Sequence, residues 1–250
     1  MNALSQIDTI VEWNNRGVTA FENDLQQSIL SFRTALHIIK SCVFDSEVCE
    51  RVSDKSQESL VDKDINMMPQ RIPADDHKYR CDIIGASLVT DDAFFQVISL
   101  LPASTAFAKD PLATLSVMFV IVAFNLAVAY HRRGAVTETD LGYECLTNGR
   151  TFYLAVLSML HELGMSGLQS SCPELTDLII MACYNNLAQI AFMLTEFTAS
   201  EHHFQMLLAY ADNLHFQTND ASTSSYLEHN RMKFVRNALL LKPPTRAAAA

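Results

Sequence analysis

The stretch from Thr176 to Leu214, TDLIIMACYNNLAQIAFMLTEFTASEHHFQMLLAYADNL, admits few folds. Apolar residues recur at three- and four-residue steps on both sides of Thr195–Ser200, which is the period of a helix face, so two helices joined by a short turn are expected. Their spacing says how they meet. Tyr184, Leu187 and Ala188 on the first helix are followed, twelve residues after Ala188, by Ser200 and then Phe204 on the second. Small residues at Ala188 and Ser200 let two helix backbones approach closely, while Tyr184, Leu187 and Phe204 fill the space beside them. The stretch therefore predicts a helical hairpin.

The same arrangement recurs twice. Trp13, Arg16 and Gly17, then Ser28, Phe32, Ala35 and Leu36, predict a hairpin over residues 7–42, its helices parted near Asn23 and Asp24. Arg16 stands where Leu is wanted, a substitution that works if its aliphatic stem packs and its guanidinium reaches water. Leu112–Tyr130 carries no charged residue over nineteen positions and contains Ala123, Leu126, Ala127 and Tyr130 at first-helix spacing. Gly149 and Tyr153 supply the small-then-aromatic pair of its partner helix, giving a hairpin over 112–162. Pro173 and Glu174 suit the first turn of the hairpin already described, about 174–215. A further helix over 222–241 is expected to cover the open end of the stack, and Pro243-Pro244 stops it, leaving 243–250 as a loose tail.

These elements make one mostly α domain over residues 1–242, interrupted by an insertion over 44–111. Residues 44–78 are polar and charged without an apolar period, so disorder is expected there. Residues 79–107 contain two apolar runs, CDIIGASLV and FFQVISLL, which predict a two-stranded β-hairpin, with one helical turn at Ala93–Ser99 as the competing reading. If the hairpins stack in chain order, 79–107 must leave the stack and return, and it can lie over the groove as a lid.

Composition narrows the function. A content of 49% hydrophobic residues with only 7 Gly and 7 Pro favours a helical core. The net charge of −10 opposes nucleic acid and anionic membrane as partners, because both call for a basic face. A neutral or basic protein or peptide fits better. Cys42, Cys49, Cys81, Cys145, Cys172 and Cys183 show no C-x-x-C spacing, which suggests reduced thiols, and the N-terminus lacks the basic-then-apolar order of a secretory signal. Cytoplasm or nucleus is the expected compartment.

Aligning the three hairpins puts an asparagine at one equivalent place, Asn15, Asn125 and Asn186, each two residues before Gly17, Ala127 and Ala188. A repeated amide in apolar first helices either satisfies itself across to the neighbouring hairpin or forms a ladder that holds the backbone of an extended peptide. The candidate groove residues are Asn15, Asn125, Asn186, Gln189, Phe192, His131 and Arg132.

Together these residues resemble the tetratricopeptide (TPR) repeat over about residues 7–215: Tyr184-x2-Leu187-Ala188 with Ser200-x3-Phe204, and the weaker copies at Trp13 and Ala123. More narrowly, Asn14-Asn15-Arg16-Gly17, Phe124-Asn125-Leu126-Ala127, Tyr184-Asn185-Asn186-Leu187-Ala188 and the Ala-rich end resemble a family of diatom proteins of unknown function. The resemblance implies a TPR-like α-α superhelix of three degenerate hairpins plus a capping helix, and a non-catalytic scaffold that binds peptide segments of other proteins. The family's best-known variant grips a C-terminal carboxylate with Asn, Lys and Arg. Here the three asparagines match, the lysines are missing, and His131 and Arg132 are the basic residues nearby.

Catalytic signals are few. There is no phosphate loop, G-x-G-x-x-G, G-x-S-x-G or H-E-x-x-H, so neither cofactor nor enzymatic activity is expected. Two readings compete with the scaffold. Residues 112–130 approach the length of a membrane span with a basic flank, against which stand Asn125 and the near-minimal length. Glu201-His202-His203 with Asp212 and His215 offers metal-ligand types on the last hairpin, but adjacent histidines do not share a helix face.

Overall fold

In a computed structural model, the described residues are 3–50, 97–100, 111–162, 173–217 and 225–241. They form seven α-helices and no strand: α1 (Ala3–Ala20), α2 (Leu25–Glu50), α3 (Pro111–Ala135), α4 (Asp140–Glu162), α5 (Pro173–Met193), α6 (Phe197–Gln217) and α7 (Ser225–Leu240). Consecutive helices pair as α1 with α2, α3 with α4 and α5 with α6. The pairs then stack: α2 meets α3, α4 meets α5, and the first helices α1, α3 and α5 touch in succession. Helix α7 extends that row by packing on both α5 and α6.

Helix ends follow from local chemistry. Asp24 caps α2 by accepting the backbone N–H of Gln27 at 2.9 Å. Pro173 opens α5 with Glu174 in its first turn, where a missing N–H costs nothing and a negative charge meets the positive end of the helix dipole. At the other end of α5, Glu196 N–H reaches the Ala191 carbonyl at 2.8 Å and Thr195 N–H reaches that of Phe192 at 3.0 Å. That crossed pair requires a left-handed residue, and Thr195, at φ 63°, fills a place where glycine is usual. Helix α2 runs to Glu50, beyond the boundary at residue 42 read from composition. Polarity alone does not stop a helix that meets neither Gly nor Pro.

Small and buried residues set the hairpins. A Cβ at Gly17 would stand 2.5 Å from the ring of Phe32, which is fully buried. The Ser28 hydroxyl donates to the Gly17 carbonyl at 2.9 Å, tying the same crossing. In the second pair a Cβ at Gly149 would lie 3.2 Å from the Ala127 carbonyl oxygen and 3.2 Å from the His131 nitrogen, so the α3 and α4 backbones are in near contact. In the third, Ala188, Ser200 and Phe204 are all buried. Arg16 places its guanidinium 5.0 Å from the Trp13 ring centre, an exposed arrangement that keeps the charge wet.

Helix α3 is the centre of the molecule, touching α1, α2, α4 and α5. Every residue from Val120 to Ala129 is buried. Thr114–Ala135 is long and apolar enough to cross a membrane, yet 78% of its most apolar window is covered by the protein itself. A helix that is apolar all round suits a position enclosed by other helices.

The expected β-hairpin falls largely outside the described residues. Of 79–107 only Val97–Leu100 is described, and it belongs to neither helix nor strand, against both the two-stranded reading and the helical turn at Ala93–Ser99 over these positions. Residues 51–78, from the stretch expected to be disordered, also lie outside the described residues.

Candidate binding site

The asparagines of α1 and α3 hold the backbone of Val97–Leu100. Asn15 Nδ2 donates to the Leu100 carbonyl at 2.6 Å, and its Oδ1 accepts the Leu100 N–H at 2.8 Å. Asn125 repeats this on Ile98, Oδ1 accepting the N–H at 2.7 Å and Nδ2 donating to the carbonyl at 2.7 Å. Each carboxamide thus takes both polar groups of one residue, and the residues taken alternate. Asn14 adds a bond from Nδ2 to the Ile98 carbonyl at 3.0 Å. Val97, Ile98 and Leu100 are buried, so the site provides apolar contact for side chains and amides for the main chain.

An amide relay aligns these groups. Asn14 Nδ2 donates to Asn15 Oδ1 at 3.3 Å, and Asn125 Nδ2 donates to Asn14 Oδ1 at 2.9 Å. The relay is repeated at the other end of the molecule. Asn185 Nδ2 donates to Asn186 Oδ1 at 3.0 Å, and Asn237 Nδ2, from α7, donates to Asn185 Oδ1 at 2.5 Å. Asn186 Nδ2 donates to the Tyr153 hydroxyl at 2.8 Å, an interhelical bond from α5 to α4. Tyr153 is fully buried, and desolvation, followed by the neighbouring Cys183, pushes its pKa well above the usual phenol value, against the smaller effect of the Asn186 bond. Its hydroxyl stays protonated.

The remaining candidate residues divide. Gln189 and Phe192 line a cavity of about 270 Å³ between α5, α6 and α7, together with Met193, Phe204, Asn237 and Leu241. Phe192 is 45% exposed and meets Phe197, 50% exposed, edge to face at 5.6 Å. His131 and Arg132, expected at a ligand face, are placed differently. His131 is completely buried, its ring edge-on to Tyr153 at 6.2 Å, and desolvation lowers its pKa to about 3. It lies one turn past Ala127 on the mostly buried helix α3, at the crossing with Gly149, which is why its polarity did not bring it to the surface. Arg132 sits 4.8 Å from the Phe21 ring centre and donates to the Phe21 carbonyl at 3.4 Å, joining α3 to the turn between α1 and α2.

Among the described residues no three of His, Cys, Asp and Glu stand close enough to hold a metal ion. On α6, His202 is exposed and His203 half-buried, with its pKa lowered first by burial. Cys42, Cys145 and Cys183 are buried and form no disulfide, and burial pushes the thiol pKa of Cys145 and Cys183 up, away from the reactive thiolate.

Sequence reasoning missed Asn14, Asn185, Asn237 and Tyr153. The doubled letters Asn14-Asn15 and Asn185-Asn186 were the signal for the first two. Asn237 and Tyr153 take their roles from contacts 52 and 33 residues away, which no local pattern records.

Over the described residues the geometry is that of stacked helical hairpins with a carboxamide row along the first helices. No protein-family model, curated protein or solved structure matches the chain.

Proposed function

We propose that this protein is a non-catalytic interaction scaffold of the TPR-like kind, a superhelix of three degenerate hairpins closed by α7, whose first helices grip the backbone of an extended peptide. The observation that carries this reading is the two-bond grip of Asn15 on Leu100 and of Asn125 on Ile98. Such a grip recognises main chain whatever the side chains, while the burial of Val97, Ile98 and Leu100 sets a preference for apolar residues around it. The chain's own segment occupies this groove, so a partner enters by exchange with a resident that has the advantage of covalent attachment. The partner is a protein or peptide of neutral or basic character, matching a net charge of −10. Buried cysteines outside any disulfide suit a reducing, intracellular compartment.

The test empties the groove. In a variant carrying Val97→Ser, Ile98→Ser and Leu100→Ser, a fluorescent peptide acetyl-Lys-Val-Ile-Ser-Leu-Lys-amide is expected to bind more tightly than to the unaltered chain, and Asn15→Ala with Asn125→Ala abolishes that gain. A folded triple variant that does not bind overturns the proposal. If the variant does not fold, the δ1 methyl signal of Ile98 in the unaltered chain reports displacement at high peptide concentration, and its failure to move has the same meaning.

A further inference from the structure

The two amide relays are alike in their bonds and differ in what they face. At the first, Asn125 Nδ2 is engaged with Asn14 Oδ1, and the free face of the carboxamide, Oδ1, accepts the Ile98 N–H. At the second, Asn237 Nδ2 is engaged in the same way with Asn185 Oδ1, and Asn237 lines the cavity between α5, α6 and α7. Its side-chain oxygen and second amide N–H are left for a ligand there. Gln189, one turn beyond Asn186 on α5, brings a second carboxamide to the same cavity, and Phe192, Met193, Phe204 and Leu241 make the rest of the lining apolar. The row of first helices is continuous from the occupied groove to this cavity, because α1, α3, α5 and α7 touch in succession.

From this parallel we infer a second peptide site: the α5–α6–α7 cavity takes an extended, apolar segment of a partner protein, with Asn237 Oδ1 accepting a backbone N–H as Asn125 does. The inference rests on the scaffold reading, since the occupant is taken from what the first relay holds. Gln189 supplies the second polar contact to the main chain. A volume of about 270 Å³ accepts one large aliphatic or aromatic side chain, which packs against Phe192 and Met193. Those two residues are 45% and 41% exposed, half-covered positions that an incoming side chain would close. The neighbouring turn is held by the Arg150–Glu196 ion pair at 2.8 Å and by Thr195 in its left-handed conformation, so the aromatic pair Phe192–Phe197 stands on a fixed corner.

The experiment uses the full chain, labelled at Met and Ile methyl groups and titrated with acetyl-Lys-Val-Ile-Ser-Leu-Lys-amide. A saturable shift of the Met193 methyl is the expected result, with Ile98 reporting separately on the exchange groove, and Gln189→Ala with Phe192→Ala, both at partly exposed positions, weakens the Met193 response at least about tenfold, the loss of one hydrogen bond and one apolar contact. No shift at Met193, or one unchanged in the double variant, overturns the inference. Movement of Ile98 alone supports the exchange groove and overturns the second site, so the two readings fail separately. A Met193 shift on raising protein concentration without peptide identifies a second copy as the occupant. Binding seen only after removal of residues 242–250 identifies the chain's own end. Either outcome also overturns it.

Discussion

Acidification should unfold this protein through His131. Its ring is completely buried at the α3–α4 crossing, and desolvation lowers its pKa to about 3 from 6.5. The unfolded chain binds a proton near pH 6.5 while the folded one does not, so stability is lost as pH falls through the interval from 6.5 to about 3. The full interval is 6.5 − 3 = 3.5 pH units, equivalent to about 5 kcal/mol at 1.36 kcal/mol per unit. Integrating the linkage from pH 7 to pH 4.5 leaves a loss of roughly 2 to 3 kcal/mol from this one group. Burial is the cause of the shift, because desolvation disfavours the charged ring. Urea unfolding at closely spaced pH values, on the unaltered chain and on His131→Phe, measures it. The variant has its own cost at pH 7, but the unaltered chain should lose roughly 2 to 3 kcal/mol relative to it by pH 4.5. Parallel curves over that range would refute the assignment of His131 as a neutral buried ring.

Two further substitutions probe the frame. Gly149→Val puts a branched side chain against backbone on α3, 3.2 Å from both the Ala127 oxygen and the His131 nitrogen, and should destabilise by about 2 kcal/mol although valine is the better helix former; calorimetry showing a raised Tm would contradict the close crossing. Thr195→Gly relieves a β-branched residue at φ 63°, and after the entropy that glycine adds to the unfolded chain it should raise stability by about 0.5–1 kcal/mol, seen as a higher urea midpoint.

Much of the frame can be read from local spacing. Small residues such as Gly17, which meets Phe32, and Gly149, which meets the Ala127 backbone, mark where helices cross, because backbone approach is a demand each crossing makes on a few neighbouring positions. The helix over 222–241 was legible for the same reason. The reach of α2 to Glu50 was not, since polar composition signals exposure and not a helix end. The site was half legible. Repetition exposed Asn15, Asn125 and Asn186, but what the first two hold lies 85 and 27 residues away and is bound through its main chain, which leaves no side-chain signature in the sequence. His131 misled because a histidine beside two arginines reads as surface, whereas its position on the helix face was decided by the crossing at Gly149.

Amide hydrogen exchange at Ile98 and Leu100 tests the carboxamide grip most directly. Both N–H groups are bonded to asparagine side chains, at 2.7 and 2.8 Å, and neither belongs to a helix or strand that would protect it otherwise. Protection at both positions is predicted, lost first at Leu100 in Asn15→Ala and first at Ile98 in Asn125→Ala. Exchange at free-peptide rates in the unaltered chain would contradict it.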